Sequence, residues 1–383
     1  MNILHSIGSL DQRSGGPLRL VLDMSAMAMT HGLRSEILGC GTIRIADNPL
    51  PAELIHSLPL DGVTSFLYSP IIMKWCHENL RRFDGVILHG LWSATNRTLS
   101  RYCIAAGIPY IVFPHGMLDI WSVRGQGWVK WFKKALYWHL RERQVVSGSR
   151  AVFFTMQREL DNARKTFHLP EIQPLIVSPF GVSSQVDNSD VKPSVSVDQG
   201  SERKIALFLG RVHPKKRPDI LIEAWAKAEV PRDWRLVIAG PGESEYLTKL
   251  ANLARQFRIE NAVQFVGPVS GTDKRYLFQR ALWFLLPSEQ ENYGVAVLEA
   301  ASNGCALAIS DQVYFADELP AGSEILPVRL EAWTCFMRER MTDNMWRDET
   351  VKRVHEHIGD KFNEERIGKQ WVDLIKKVIN NEL

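Results

Sequence analysis

The chain has 383 residues, 45% of them hydrophobic and 23% charged, with a net charge of +3 at pH 7. That length suits two domains with ordinary cores, and the near-balanced charge excludes a polyelectrolyte and gives no reason to expect nucleic acid as a partner. The five cysteines are odd in number, scattered and without metal-ligand spacing, which fits a reducing compartment rather than a disulfide framework.

The N-terminus, MNILHSIGSL, has no basic stretch and reads directly as a strand, so no signal peptide is expected. No apolar run approaches the ~20 residues that cross a bilayer, so a cytoplasmic protein is expected. In the first half, strands are predicted over 2–6, 36–38, 85–89, 110–113, 151–154 and 175–177, and helices over 16–30, 94–106, 128–145 and 157–166. The second half repeats the alternation, with strands over 204–209, 235–239, 263–266, 282–286 and 306–309 and helices over 217–228, 244–257, 271–280 and 294–302. Short apolar strands alternating with amphipathic helices make parallel sheets, so the expected class is α/β with two doubly wound Rossmann-like domains. The first spans 1–185 and the second 203–360; the polar stretch 186–202 reads as a linker or surface loop, and 361–383 ends the chain in an amphipathic helix. Ligands of such sheets bind beyond the carboxyl ends of the strands, so two domains facing across a cleft would hold one between them.

The segment 282–310 carries the most chemistry. A buried strand ends at Pro287 and Ser288, a polar loop bears Glu289, Glu291 and Asn292, and Gly294 opens a short helix that Asn303 and Gly304 stop. Seven residues separate Glu291 in the loop from Glu299 in the helix. The free N–H groups at such a helix start suit a phosphate, and the two carboxylates suit hydroxyls on either side of it. A molecule with hydroxyls flanking a diphosphate is a nucleotide sugar.

Other strand ends carry further candidates. Gly15 and Gly16 lead into the first helix, either as a plain turn or as a close approach to phosphate. In GRVHPKKR, Arg211 and Lys216 could neutralise a leaving diphosphate, with a solvated basic loop as the plain alternative; Lys215 and Arg217 read as solvated. His115 in FPHGM and His89 in LHGLW each follow a strand and precede a glycine, and of the two His115 is the stronger candidate. The chain contains no HExxH, DxD or CxxC, so metal-dependent catalysis is not expected. The stretch 121–143 combines Trp121, Trp128, Trp131 and Trp138 with Lys130, Lys133, Lys134, Arg141 and Arg143. It suits an interfacial helix on anionic lipid, or a core helix with a solvated basic face if Trp131, Leu136 and Trp138 pack inward.

Taken together, GRVHPKK, VIAGPG, VQFVGPV and the Glu291-x7-Glu299 unit, in that order, resemble glycosyltransferase family 4, retaining sugar-nucleotide transferases of GT-B fold. HGLWS and the GMLDIW that follows the 110–115 region resemble the branch that builds bacterial surface polysaccharides. The resemblance implies that Arg211 and Lys216 bind the donor diphosphate, that Glu291 contacts the sugar hydroxyls and that Glu299 contacts the ribose. It places Gly16 and His115 beside the phosphate and the transferred sugar, Asn292, Tyr293 and Gly294 along the donor, and the terminal helix back on the first domain. It further implies a UDP- or GDP-sugar as donor substrate, no cofactor and no metal. The acceptor would be a glycan on a polyprenyl diphosphate, met by a peripheral protein on the inner face of the plasma membrane. The sequence departs from the family pattern at Glu291-Asn292-Tyr293-Gly294, where Glu-Gly-Phe-Gly is usual, at Phe180 and Ser183, and at Gln312-Val313-Tyr314-Phe315, where a glycine pair is common. A sugar-nucleotide epimerase and a catalytically degenerate scaffold are the competing readings; the former would not need the Trp- and Lys-rich helix, and the latter would not need the four charged residues.

Overall fold

The computed structural model describes residues 1–11, 16–43, 48–60, 68–124, 127–182, 193–195, 197, 203–321 and 323–383. Gly15 and most of the stretch 186–202 lie outside the described residues. The chain divides into two compact units, one made of Met1–Gly181 with Glu364–Leu383 and the other of Val182–Asn363.

In the first unit the elements are β1 (Asn2–Ser9), α1 (Gly16–Thr30), β2 (Arg34–Cys40), β3 (Ile55–Leu58), α2 (Ile72–Asn79), β4 (Gly85–His89), α3 (Ala94–Ala106), β5 (Tyr110–Phe113), α4 (Ile120–Arg124), α5 (Trp128–Tyr137), a π turn (Trp138–Glu142), α6 (Arg143–Ser147), β6 (Ala151–Phe154), α7 (Gln157–Thr166) and β7 (Pro174–Ile176). The strands form one parallel sheet in the order β3-β2-β1-β4-β5-β6-β7. Its central strands are apolar on both faces because helices cover both faces. Leu4, Val86, Leu88, Val112, Val152 and Phe154 pack one core, while Ile7, Leu18, Val21 and Ile37 pack another.

The second unit runs β8 (Lys204–Leu209), α8 (Pro218–Lys227), β9 (Trp234–Ala239), α9 (Ser244–Gln256), β10 (Val263–Gly267), α10 (Gly271–Arg280), β11 (Ala281–Leu286), α11 (Val295–Ser302), β12 (Ala306–Ser310), β13 (Glu324–Leu326), α12 (Leu330–Glu339) and α13 (Asn344–Lys361). Its six strands are again parallel, in the order β10-β9-β8-β11-β12-β13. The chain is therefore α/β with two Rossmann-like sheets. Strand order reverses between β1 and β4 in one sheet and between β8 and β11 in the other, and the loops at the carboxyl ends of these pairs are where such sheets take ligands.

The last helix, α14 (Glu364–Asn380), belongs to the first unit. Its buried face carries Ile367, Trp371, Ile375 and Ile379. The Trp371 ring meets Phe153 edge-on at 5.3 Å, and Gly85 leaves room for Ile379, whose Cδ1 would lie 2.3 Å from a Cβ at that position. Burying each such side chain stabilises by about 1.5–3 kcal/mol, which holds the terminal helix to the sheet.

The predicted helix over 128–145 is three pieces. The π turn after Tyr137 points both Trp138 and Glu142 inward. Trp138 stacks on Phe167 at 4.6 Å and is fully buried. Trp131 and Leu136, which a core helix would bury, are exposed instead.

Candidate active site

In the second unit, two loops far apart in sequence are held together by backbone. The turn after β8 begins at Gly210, against which Gly240 packs so closely that a Cβ there would lie 1.9 Å from the Gly210 carbonyl oxygen. Val212 N–H donates to Pro241 at 2.7 Å, and the His213 ring accepts from Lys215 N–H at 3.1 Å, closing a 3₁₀ turn. Arg217 follows in a left-handed conformation with φ 52, and Pro218 starts α8. The Glu289 N–H then donates to the Lys215 carbonyl at 2.8 Å, and the Glu291 backbone is bonded on its other side by Gln312 at 3.1 Å and Tyr314 at 3.0 Å.

This bonding sets the Lys216 ammonium on the Glu291 carboxylate as a mostly buried ion pair. Burial, with Lys215 and Arg211 as like-charged neighbours, pulls Lys216 down from its ordinary value to about 7. The Glu291 carboxylate is its counter-charge. Arg211 is exposed and pairs with no carboxylate among the described residues. Arg217 is not solvated: it is half-buried and bonds Asp219 at 2.9 Å and Glu289 at 3.1 Å, which fixes the strained turn in place. Helix α11 starts at Gly294, whose φ of 66 is the left-handed one that a glycine adopts freely, and no side chain caps it among the described residues. Asn292 needs no such freedom, since its φ is not positive. Its side-chain oxygen is buried without a partner among the described residues, and the Tyr293 ring packs edge-on against Phe315 at 5.6 Å. Thus Tyr314 and Phe315, standing where a glycine pair is usual, brace the Glu291 loop.

Glu299 is not beside Glu291's partner; it pairs with Lys274 of α10 at 2.5 Å. Lys274 escapes sequence reasoning because it sits in an ordinary polar helix turn, and only the packing of α10 beside α11 selects it.

The first unit presents its own group of residues. Gly16 opens α1, is exposed and would have open space around a Cβ, so the fold itself does not require glycine there. His115 and Gly116 are consecutive left-handed residues, φ 52 and 74, in the turn after β5. Glu159, fully buried in the first turn of α7, clamps that turn: it accepts from Gly116 N–H at 2.6 Å and from the N–H and hydroxyl of Thr155 at 2.8 Å each. Its signal in sequence is only an acid at a helix start. Asn96 of α3 accepts from the Ser6 hydroxyl at 2.7 Å and donates to the His89 carbonyl at 3.1 Å, tying β1 to β4 beneath His115. His89 bonds His115 directly at 2.8 Å.

On α5 and the π turn, Trp128, Phe132, Leu136 and Leu140 recur at helical spacing on the exposed side, Trp128 being 79% exposed. Lys133, Arg141 and Arg143 are exposed as well. Lys134 is not part of that surface: it donates to the Ser122 carbonyl at 2.8 Å and lies over the Trp92 ring at 5.4 Å. The Lys130 side chain lies outside those described. Among the described residues, no helix is long and apolar enough to cross a membrane.

Each unit matches a glycosyltransferase family. Residues 15–179 match the glycosyl transferase 4-like domain, and residues 194–321 match the glycosyl transferases group 1 family. The fold is thus of GT-B type, each of its two Rossmann-like units matching one of these glycosyltransferase families. It is 27% identical over 175 residues to a D-inositol 3-phosphate glycosyltransferase of Actinosynnema mirum, covering 43% of this chain and 41% of that one. It is 25% identical over 184 residues to an uncharacterised glycosyltransferase of Methanocaldococcus jannaschii, covering 47% of each. The chain therefore spans less than half the length of these curated relatives. Among solved structures, Anabaena HepE in complex with UDP and glucose matches with a TM-score of 0.78 at 14% identity, covering 98% of this chain and all of that one. WaaG, a glycosyltransferase involved in lipopolysaccharide biosynthesis, matches with a TM-score of 0.71 at 16% identity, covering 97% of this chain and 99% of that one. At those identities the likeness is one of fold.

Proposed function

We propose that the protein transfers a sugar from a UDP- or GDP-sugar to a glycan carried on a polyprenyl diphosphate, with retention of configuration and without a metal ion, in the synthesis of a bacterial surface polysaccharide. One observation carries the donor half of this reading: Lys216, Glu291 and the uncapped start of α11 are brought together at the strand-order reversal of the second sheet. The ammonium, Arg211 and the helix N–H groups supply fixed positive charge for a diphosphate, and the carboxylate can accept from sugar hydroxyls. In the reaction, the bond from the anomeric carbon to the diphosphate oxygen breaks. A bond from the acceptor oxygen forms on the same face, and the acceptor's proton passes to the leaving phosphate. Cations that neutralise the leaving group support a metal-free route; the family resemblance supports retention.

The acceptor half rests on α5. A stripe of exposed Trp, Phe and Leu flanked by Lys133, Arg141 and Arg143 has the make-up of a helix lying in an anionic leaflet. A lipid-linked acceptor would be presented there.

Thermal shift with UDP-, GDP- and ADP-sugars tests the donor, since binding raises stability by mass action. One uridine or guanosine sugar should stand out, and its slow hydrolysis without acceptor should persist in excess EDTA. No shift with any nucleotide sugar, or abolition by EDTA with rescue by Mg²⁺ or Mn²⁺, would count against the reading.

A further inference from the structure

Three histidines from three segments form one hydrogen-bonded line. His5 Nδ1 lies 2.9 Å from His89 Nε2, and His89 Nδ1 lies 2.8 Å from His115 Nε2. Successive rings are nearly parallel, 14° and 19° apart, with centroids 5.2 and 5.1 Å apart, and Phe113 stacks on His115 at 4.1 Å. His5 is fully buried and His89 is 2% exposed, whereas His115 is partly exposed. Burial draws all three downward, His5 and His115 to about 3, so at neutral pH each ring carries one proton.

A line of neutral imidazoles has only two consistent proton arrangements, because each contact needs one donor and one acceptor. With protons pointing inward, His115 and His89 donate from Nε2 and His5 is left with an Nε2–H. That atom is buried and has no partner among the described residues, so it would be an orphaned donor. With protons pointing outward, His5 and His89 donate from Nδ1, His5 Nε2 holds only a lone pair, and His115 carries its proton on Nδ1. Orphaned buried N–H groups are rarer than under-used acceptors, which favours the outward arrangement.

We infer that His5 and His89 are positioning residues that hold His115 as the Nδ1–H tautomer, so that His115 offers a hydrogen-bond donor, and not a base, to its ligand. A donor suits a sugar hydroxyl or a phosphate oxygen; that consequence rests on the transferase reading, whereas the tautomer does not.

Long-range ¹H–¹⁵N spectra of the imidazoles in the full chain, with His115 assigned from the signal lost in His115→Gln, test this directly. The wild type should show a protonated Nδ1 and an unprotonated Nε2 at His115. His5→Asn, whose amide N–H can replace the Nδ1 donor, should keep that pattern and near-normal turnover. His5→Leu removes the donor, and His115 should shift towards the Nε2–H form, with kcat about tenfold lower and KM for the donor little changed. An Nε2–H tautomer in the wild type, or an unchanged His115 pattern in a folded His5→Leu, would overturn the inference. If the tautomers behave as stated but His115→Gln turns over sugar nucleotide normally, the line stands and the transferase role of His115 falls.

Discussion

The Lys216 ammonium rests against the Glu291 carboxylate, so in the ligand-free protein the group suited to a diphosphate is neutralised by the group suited to the sugar. On the proposed reading, a bound nucleotide sugar replaces this contact with one to each. Lys216→Ala should therefore lower turnover about 10²-fold or more, the usual cost of losing a charge contact made at the transition state. Burial, Lys215 and Arg211 draw Lys216 down to about 7 with Glu291 in place, so its charge changes across neutral pH. Calorimetry should then show the wild type's UDP affinity falling by up to about tenfold as pH rises from about 6 to about 8, as the ammonium is lost. Glu291→Gln, which lacks the counter-charge, should lose affinity at lower pH still, and a pH-independent wild type would mean that Lys216 stays an ammonium throughout that range.

The Glu299–Lys274 pair predicts a different signature. Glu299→Ala should weaken bare UDP and the sugar nucleotide equally, by about tenfold or more, the worth of a charged hydrogen bond. Its melting temperature should barely move, because the pair is partly exposed and such pairs contribute about 0–1 kcal/mol. Selective loss of the sugar nucleotide alone would contradict the placement of Glu299 at the nucleotide.

The exposed stripe predicts lipid binding that survives neither loss of apolar contact nor high salt. Phe132→Ser with Leu136→Ser should reduce sedimentation with anionic vesicles more than tenfold, since each large apolar side chain is worth about 1.5–3 kcal/mol when buried. Replacing Lys133, Arg141 and Arg143 by Gln should cost about 1 kcal/mol each at a charged leaflet, and salt should weaken the wild type similarly. Lys134→Gln is a poor probe of charge, because it would loosen α5 from Ser122 and Trp92. A wild type that ignores anionic vesicles at low salt would point to a soluble acceptor.

His5 and His89 make folding acid-sensitive. Their folded values lie below the ordinary 6.5, to about 3 for His5, so above 6.5 they are neutral in both states. Below 6.5 the unfolded chain takes up protons that the folded chain does not, and stability falls as pH falls, through the window down to about 3. Each histidine contributes about 1.4 kcal/mol per pH unit well inside that window. His5→Asn should flatten the slope of urea-unfolding free energy between pH 6 and 4.5 by about that amount. An unchanged slope would mean that His5 is protonated in the folded state.

Much of the fold was legible in order. Strands β4, β5 and β6 are contiguous apolar runs bounded by turn residues, because both faces of a parallel sheet are covered. Edge strand β3, Ile-His-Ser-Leu, is half exposed and lacks that pattern, and α12 and α13 lie beyond the strand–helix alternation that guided the reading. The candidate residues after strands were legible for the same reason that the topology is: a doubly wound sheet gathers the loops at its carboxyl edge.

By itself, the sequence determined which residues carry charge, where strands stop and which glycines open helices, since these follow from local chemistry and period. Tertiary structure alone decided the partners. Lys216 meets Glu291 because Glu289 bonds the Lys215 carbonyl, Arg217 is bound because Asp219 and Glu289 converge on it, and of the two tryptophans Trp138 is buried while Trp131 is exposed. Such pairings depend on how distant segments pack, and no periodicity along the chain encodes which charged side chain finds which carboxylate.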